Sequence, residues 1–217
     1  MALIYFPSCK FTAYSPESSA RICSWLCEKH GAEIAGCCRP DHKKLGRGDK
    51  AVYICNTCAA ICRESADAAE VVSVWELLAG DGAFPCPDYK RRKIAVQDCW
   101  RVYDSPSQQK AVRALLTRMN LDVVELEENL EKTRFCGTSL YEPLPEQNAQ
   151  LAPRRFVENA AGLFRDYPEE ERAARMREHC RSIPVDEVAV YCTSCAKGLD
   201  LGGKKGLHLL DLLFENI

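Results

Sequence analysis

The sequence predicts an α/β protein of two tandem, pseudo-symmetric small α/β units. Each has a short parallel sheet, with a cysteine cluster at the C-terminal ends of its strands. Three observations predict it. One cysteine pattern occurs twice along the chain, each copy ending in Cys-x-x-Cys. A short apolar run precedes the cysteine that opens each copy, and another precedes the Cys-x-x-Cys that closes it. Strand–helix–strand order within each copy implies parallel pairing through a right-handed crossover.

In the first copy, residues 2–6 read as a strand leading to Cys9. A helix follows over 18–30, with Ile22, Leu26 and Ala20 on one face and Gly31 as its stop. A short strand at 32–34 leads to the adjacent pair Cys37-Cys38. A further strand at 51–54 runs into Cys55-x-x-Cys58 and a helix-like stretch. The apolar segment 71–78 closes the half. The second copy repeats the plan: a strand at 93–96 before Cys99, then a helix over 108–119 behind Ser105-Pro106-Ser107, with Val112, Leu115 and Leu116 on its apolar face. A strand at 121–124 precedes Phe135-Cys136-Gly137, a strand at 188–191 enters Cys192-x-x-Cys195, and the Leu-rich segment 207–213 ends the copy. Turn-rich residues 80–87 divide the chain into a first repeat, 1–88, and a second, 89–217. The second carries a helical insertion at about 140–184, with helical stretches near 153–164 and 169–180. The latter is charged on most faces and reads as a solvated surface helix.

Of 217 residues, 47% are hydrophobic and 28% charged, as in a globular chain able to bury a core without disulfides. The first ten residues lack the basic start and long apolar run of a secretory signal. No apolar stretch reaches the roughly 18 residues of a membrane span. A reducing, cytoplasmic setting is therefore expected, in which the 14 cysteines stay available to metal. A net charge of −2 counts against general nucleic-acid binding, although Arg39, Lys43, Lys44, Arg47 and Lys50 make one loop locally basic.

Clustered thiols call for a metal, a disulfide or a redox task. Both Cys-x-x-Cys pairs lie at a strand-to-helix junction, where free N–H groups and the helix dipole favour thiolate. Soft sulfur ligands select zinc or iron–sulfur clusters over magnesium or calcium. Four thiolates suit zinc and a cluster equally; five exceed what tetrahedral zinc uses and tilt the first set toward iron–sulfur. Cys23 and Cys27 share a helix face and read as small core residues; Cys62, one helical turn past Cys58, is a spare-ligand candidate left outside the set. Cys86 and Cys180 read as incidental thiols. Trp100 either shields the second set from water or fills the core, and His42 is not expected to bind metal.

The order Cys…Cys-Cys…Cys-x-x-Cys, given twice, resembles the cysteine-rich "CCG" domain pair of the heterodisulfide reductase B subunit and its relatives, over nearly the whole chain. The resemblance implies an iron–sulfur redox protein, an oxidoreductase or a subunit of one, that transfers electrons or reduces a disulfide at a thiolate-bound [4Fe-4S] cluster. Cofactor ligands carried over by position are Cys9, Cys37, Cys38, Cys55 and Cys58, for a cluster that in the family is non-cubane. Metal ligands at the second site are Cys99, Cys136, Cys192 and Cys195, for a [4Fe-4S] cluster or zinc. Phe135 stands where the family has the first cysteine of the pair, and Arg39-Pro40 where it has glycine. Only 16 residues separate Cys38 from Cys55, which predicts an open wall on the first site. No glycine fingerprint for flavin or nicotinamide is present, so ferredoxin-like or flavoprotein partners are implied. The alternative is a non-redox zinc-binding or structural subunit of a larger complex. A thioredoxin-like use of Cys55 and Cys58 would leave the upstream cysteines unexplained.

Overall fold

A computed structural model of the chain describes residues 2–67 and 70–215. It is α/β, with two four-stranded sheets in which every pairing is parallel. The first sheet holds β1 (Leu3–Phe6), β2 (Glu33–Ile34), β3 (Lys50–Tyr53) and β4 (Glu70–Ser73), in the order β2-β1-β3-β4. The second holds β5 (Lys93–Val96), β6 (Asp122–Glu125), β7 (Glu187–Val190) and β8 (Lys205–His208), in the order β6-β5-β7-β8. The direction of strand addition thus reverses between β1 and β3, and again between β5 and β7. In open parallel sheets, ligands bind at the carboxyl ends of the strands beside such a reversal.

The helices are α1 (Cys9–Tyr14), α2 (Pro16–His30), α3 (Cys38–Asp41), α4 (Asn56–Ser65), α5 (Val74–Gly80), α6 (Pro106–Arg118), α7 (Glu146–Leu151), α8 (Glu169–Arg181), α9 (Thr193–Leu201) and α10 (Leu209–Phe214). Helices α2 and α6 each begin on a proline, whose fixed φ suits a first turn. Gly31, at φ 62°, ends α2 in the left-handed conformation. Ile22 and Leu26 are fully buried, but Ala20 is exposed and Ser18 and Ser19 complete the buried stripe.

The chain divides within α5. One unit runs to Leu77 and takes in Leu144–Ala161; the other comprises Leu78–Pro143 and continues from Gly162. Part of the insertion in the second repeat therefore belongs to the first unit. The segments that close the two halves are each a strand followed by a helix: β4 with α5, and β8 with α10. Ser73 and Glu76 make the first switch by a capping box. The Ser73 Oγ accepts from Glu76 N at 3.2 Å, and Ser73 N donates to the Glu76 carboxylate at 2.8 Å.

In place of the helix expected over 153–164 stands a π-helical turn, Arg154–Glu158, behind α7, which ends at Leu151. Pro153 cannot continue α7 with a backbone N–H. The Glu64 carboxylate instead accepts from Arg154 N and Arg155 N at 2.8 and 2.9 Å, and Gly162 follows at φ 75°.

Candidate metal centre

In the second unit four thiols converge. Cys99 follows β5 and opens a 3-10 turn, Trp100–Val102; Cys136 opens another, Gly137–Leu140. Cys192 follows β7 as the N-cap of α9, and Cys195 lies in that helix's first turn. The four sulfurs all lie within 4.8 Å of one another, with Cys99–Cys136 at 3.5 Å and Cys136–Cys192 at 3.9 Å. Such a group can hold a metal. A tetrahedral ion with Zn–S bonds of about 2.3 Å holds neighbouring sulfurs about 3.8 Å apart. A cubane cluster binds each thiolate at a different iron and holds the sulfurs farther apart.

Two local devices gather these sulfurs. Gly137 sits at φ 56°, and a Cβ there would fall 1.8 Å from the Ser194 carbonyl oxygen, so only glycine lets this turn meet α9. Asp98, 0% exposed, is the second. Its carboxylate accepts from Arg113 at 2.9 and 2.8 Å, from Tyr191 Oη at 2.6 Å and from Leu130 N at 2.8 Å. Asp98 N donates to Asn129 Oδ1, and its carbonyl accepts from Thr133 Oγ1. Since Asp98 precedes Cys99 and Tyr191 precedes Cys192, one buried carboxylate ties together the strand ends carrying both cysteines.

The electrostatics favour the thiolate at Cys136 and at Cys192 in the metal-free site. Hydrogen bonds from Cys192, Cys195 and Cys99 hold the Cys136 thiol well below its ordinary range, and the buried Arg101 guanidinium, which donates to the same sulfur, adds to the effect. Burial pushes Cys99 and Cys195 well up. A bound dication displaces the remaining protons, so affinity falls in acid.

The site is enclosed. Trp100 is fully buried and meets Phe164 edge-on at 5.8 Å. Phe135 stacks on His179 of α8, with ring centroids 4.1 Å apart and an interplanar angle of 11°. His179 Nε2 lies 2.8 Å from Gln97 Oε1. Helix α8 is therefore not solvated all round: Met176 and Cys180 are buried, and Cys180 packs so tightly that a Cβ on Gly202 would fall 2.3 Å from its sulfur. His208, which sequence reasoning passed over, pairs in register with Val190, two residues before Cys192. Burial lowers its pKa to about 4, and its neutral Nδ1 accepts from Leu210 N. The signal lay in the repeat, which puts His208 on the strand flanking β7.

In the first unit three of the five candidate cysteines come together. Cys55 is the N-cap of α4, Cys58 lies in its first turn and Cys38 opens α3. Cys58 is hydrogen-bonded to both Cys38 and Cys55; as donor it is held well up, and the bond lowers the Cys38 thiol. Cys62 is buried and acts electrostatically on Cys38, with burial raising its pKa to about 12. Cys9 and Cys37 are exposed, and among the described residues this set is not drawn to the spacing of the second.

The expected open wall is partly closed. A short helix and a 3-10 turn, His42–Lys44, fit between Cys38 and β3. Helix α7 packs on α4, Arg39 donates to Asn148 Oδ1 at 3.1 Å, and Ser65 Oγ donates to the Leu151 carbonyl at 2.5 Å. Cys23 is half-buried and Cys27 exposed, contrary to the core reading. Each follows a buried residue, Ile22 or Leu26, and one helical step of about 100° turns it off the core stripe.

All 14 cysteines are free thiols, and among the described residues no helix is long and apolar enough to cross a membrane. Compared with protein-family models, curated proteins and solved structures, the chain matches none.

Proposed function

We propose that this protein is a thiolate metalloprotein with two unlike sites. Cys99, Cys136, Cys192 and Cys195 bind one tetrahedral ion, zinc, which fixes the second unit. The single observation behind this is the close mutual approach of four sulfurs in an enclosed pocket. Four protein thiolates fill a tetrahedral ion and leave no position for substrate, so the site is structural. The chain's residues bind the ion, keep water away through Trp100 and Phe135, and offset thiolate charge through Arg101.

The first set carries a second reading, an iron–sulfur redox site of the CCG kind. It is supported by the contact among Cys38, Cys55 and Cys58 beside the β1/β3 reversal. A bound cluster would supply one-electron storage there. Cys38, Cys55 and Cys58 would hold it, with Cys9 and Cys37 at the exposed side. In this reading the protein works as an oxidoreductase subunit in the reducing cytoplasm, beside a flavoprotein or ferredoxin-like partner.

Elemental analysis of protein made without oxygen tests both readings. The zinc reading expects one zinc per chain, kept by Cys38→Ala and lost from Cys136→Ser; zinc that survives Cys136→Ser contradicts it. The redox reading expects iron and acid-labile sulfide that Cys38→Ala removes and Cys86→Ala retains. Equal iron in those two variants contradicts it.

A further inference from the structure

The four thiols of the second set are not equivalent. Cys99, Cys136 and Cys195 are 1%, 0% and 0% exposed, whereas Cys192, the N-cap of α9, is half-buried. Its sulfur lies 3.9 Å from that of Cys136. Cys136 is also the sulfur that Arg101 serves. The buried guanidinium donates to it and to Ser139 Oγ at 3.3 Å, and Ser139 Oγ donates to the Cys136 carbonyl at 2.7 Å. Backbone contact keeps the two cysteines together as well. Gly137, next to Cys136, lies against the carbonyl of Ser194, two residues after Cys192. That contact needs no ion. The set thus pairs one less buried cysteine with a buried one that carries a fixed cation.

We propose that Cys192 is an oxidation site for peroxides, and that Cys136 closes a disulfide with it and so releases the ion. This rests on the zinc reading of the second set. The Cys192 thiolate attacks one peroxide oxygen; the O–O bond breaks, hydroxide leaves and Cys192 becomes a sulfenic acid. The Cys136 thiolate then attacks that sulfur. An S–S bond forms, the S–O bond breaks and a second hydroxide leaves. Each sulfur gives up one electron and the peroxide takes both, while the two hydroxides draw protons from the buffer. The ion, left with Cys99 and Cys195, dissociates. A disulfide bond of about 2.05 Å requires the two sulfurs to close by about 2 Å. Arg101 offsets the charge on Cys136 as the ion departs. The new bond joins segments 56 positions apart, the same cross-link that the ion supplies. The second unit therefore stays folded in its oxidised, metal-free form.

The test adds hydrogen peroxide stepwise to the zinc-loaded wild-type chain. A chromogenic chelator reads the zinc set free, and peptide mapping after alkylation reads the disulfide. Dimedone, which captures sulfenic acids, is included in a parallel sample. The expected result is loss of the zinc together with a Cys136–Cys192 disulfide, and in the parallel sample a dimedone adduct on Cys192 in place of that disulfide. Oxidised, zinc-free protein should melt above reduced, zinc-free protein. Zinc that stays bound while the exposed Cys9, Cys27 and Cys37 oxidise would overturn the proposal. So would a disulfide that leaves out Cys192 or Cys136, or a dimedone adduct on Cys99, Cys136 or Cys195. An oxidised form that melts no higher than the reduced one would overturn the replacement of one cross-link by the other. If the chain takes up no zinc at this set, the zinc reading fails. The same mapping on the metal-free chain then decides for Cys192: a Cys136–Cys192 disulfide supports the oxidation site, and its absence overturns it.

Discussion

Gly137 decides whether the sulfur of Cys136 can reach its partners. A side chain there meets the α9 backbone and forces a left-handed φ on a residue that disfavours it. Gly137→Ala should cost at least ~3 kcal/mol and weaken metal retention in the second unit, both measurable by denaturation with and without chelator. His208 gives a pH signature. Its folded pKa of about 4 lies below the unfolded value near 6.5, so the unfolded chain binds more protons in that window. Stability is full above about pH 6.5 and falls as pH drops toward 4, by up to about 3 kcal/mol. His208→Gln should flatten that slope in metal-free protein; an unchanged slope would assign it to other groups. The cysteines were legible as residues because thiols rarely cluster without cause. Phe135 was legible only as a departure from the repeat. Its stacking on His179 was not, because 44 positions separate the two and no local spacing encodes their meeting.

At the scale of elements, the strands before Cys9, Cys55, Cys99 and Cys192 were readable from short apolar runs, and α2 and α6 from period and proline. The switch from β4 to α5 was less so, since 71–78 is apolar apart from Ser73 and Glu76 and neither period stands out. The Ser73 and Glu76 capping box was its local signal. Helix α7 was hidden for a different reason: it packs on α4, far away in sequence, and tertiary contact supplies what so short a helix lacks alone. Asp98 acts at this scale because it joins the ends of β5 and β7. Asp98→Asn leaves Arg113 with Glu125 but removes its buried partner, at a cost of about 3 kcal/mol. Zinc loss to a chelator should rise about tenfold. Equal zinc kinetics beside a lower melting temperature would make Asp98 a folding residue with no hold on the site.

Across the whole molecule, the repeated sequence pattern agrees with two sheets that share one strand order and with cysteines at the same strand ends. It does not make the sites equal. Counting ligands favours the first set, with five cysteines against four, yet the second set is the one gathered and enclosed. Ligand number was visible in the sequence. Convergence was not, since it depends on Gly137, on the Asp98 carboxylate and on aromatic cover from residues distant along the chain.

The central claim is that the second set surrounds a single ion. X-ray absorption at the zinc edge of the purified protein tests it most directly. The account predicts four sulfur scatterers at about 2.3 Å and no metal neighbour. Metal–metal scattering, or nitrogen and oxygen in place of sulfur, would contradict it.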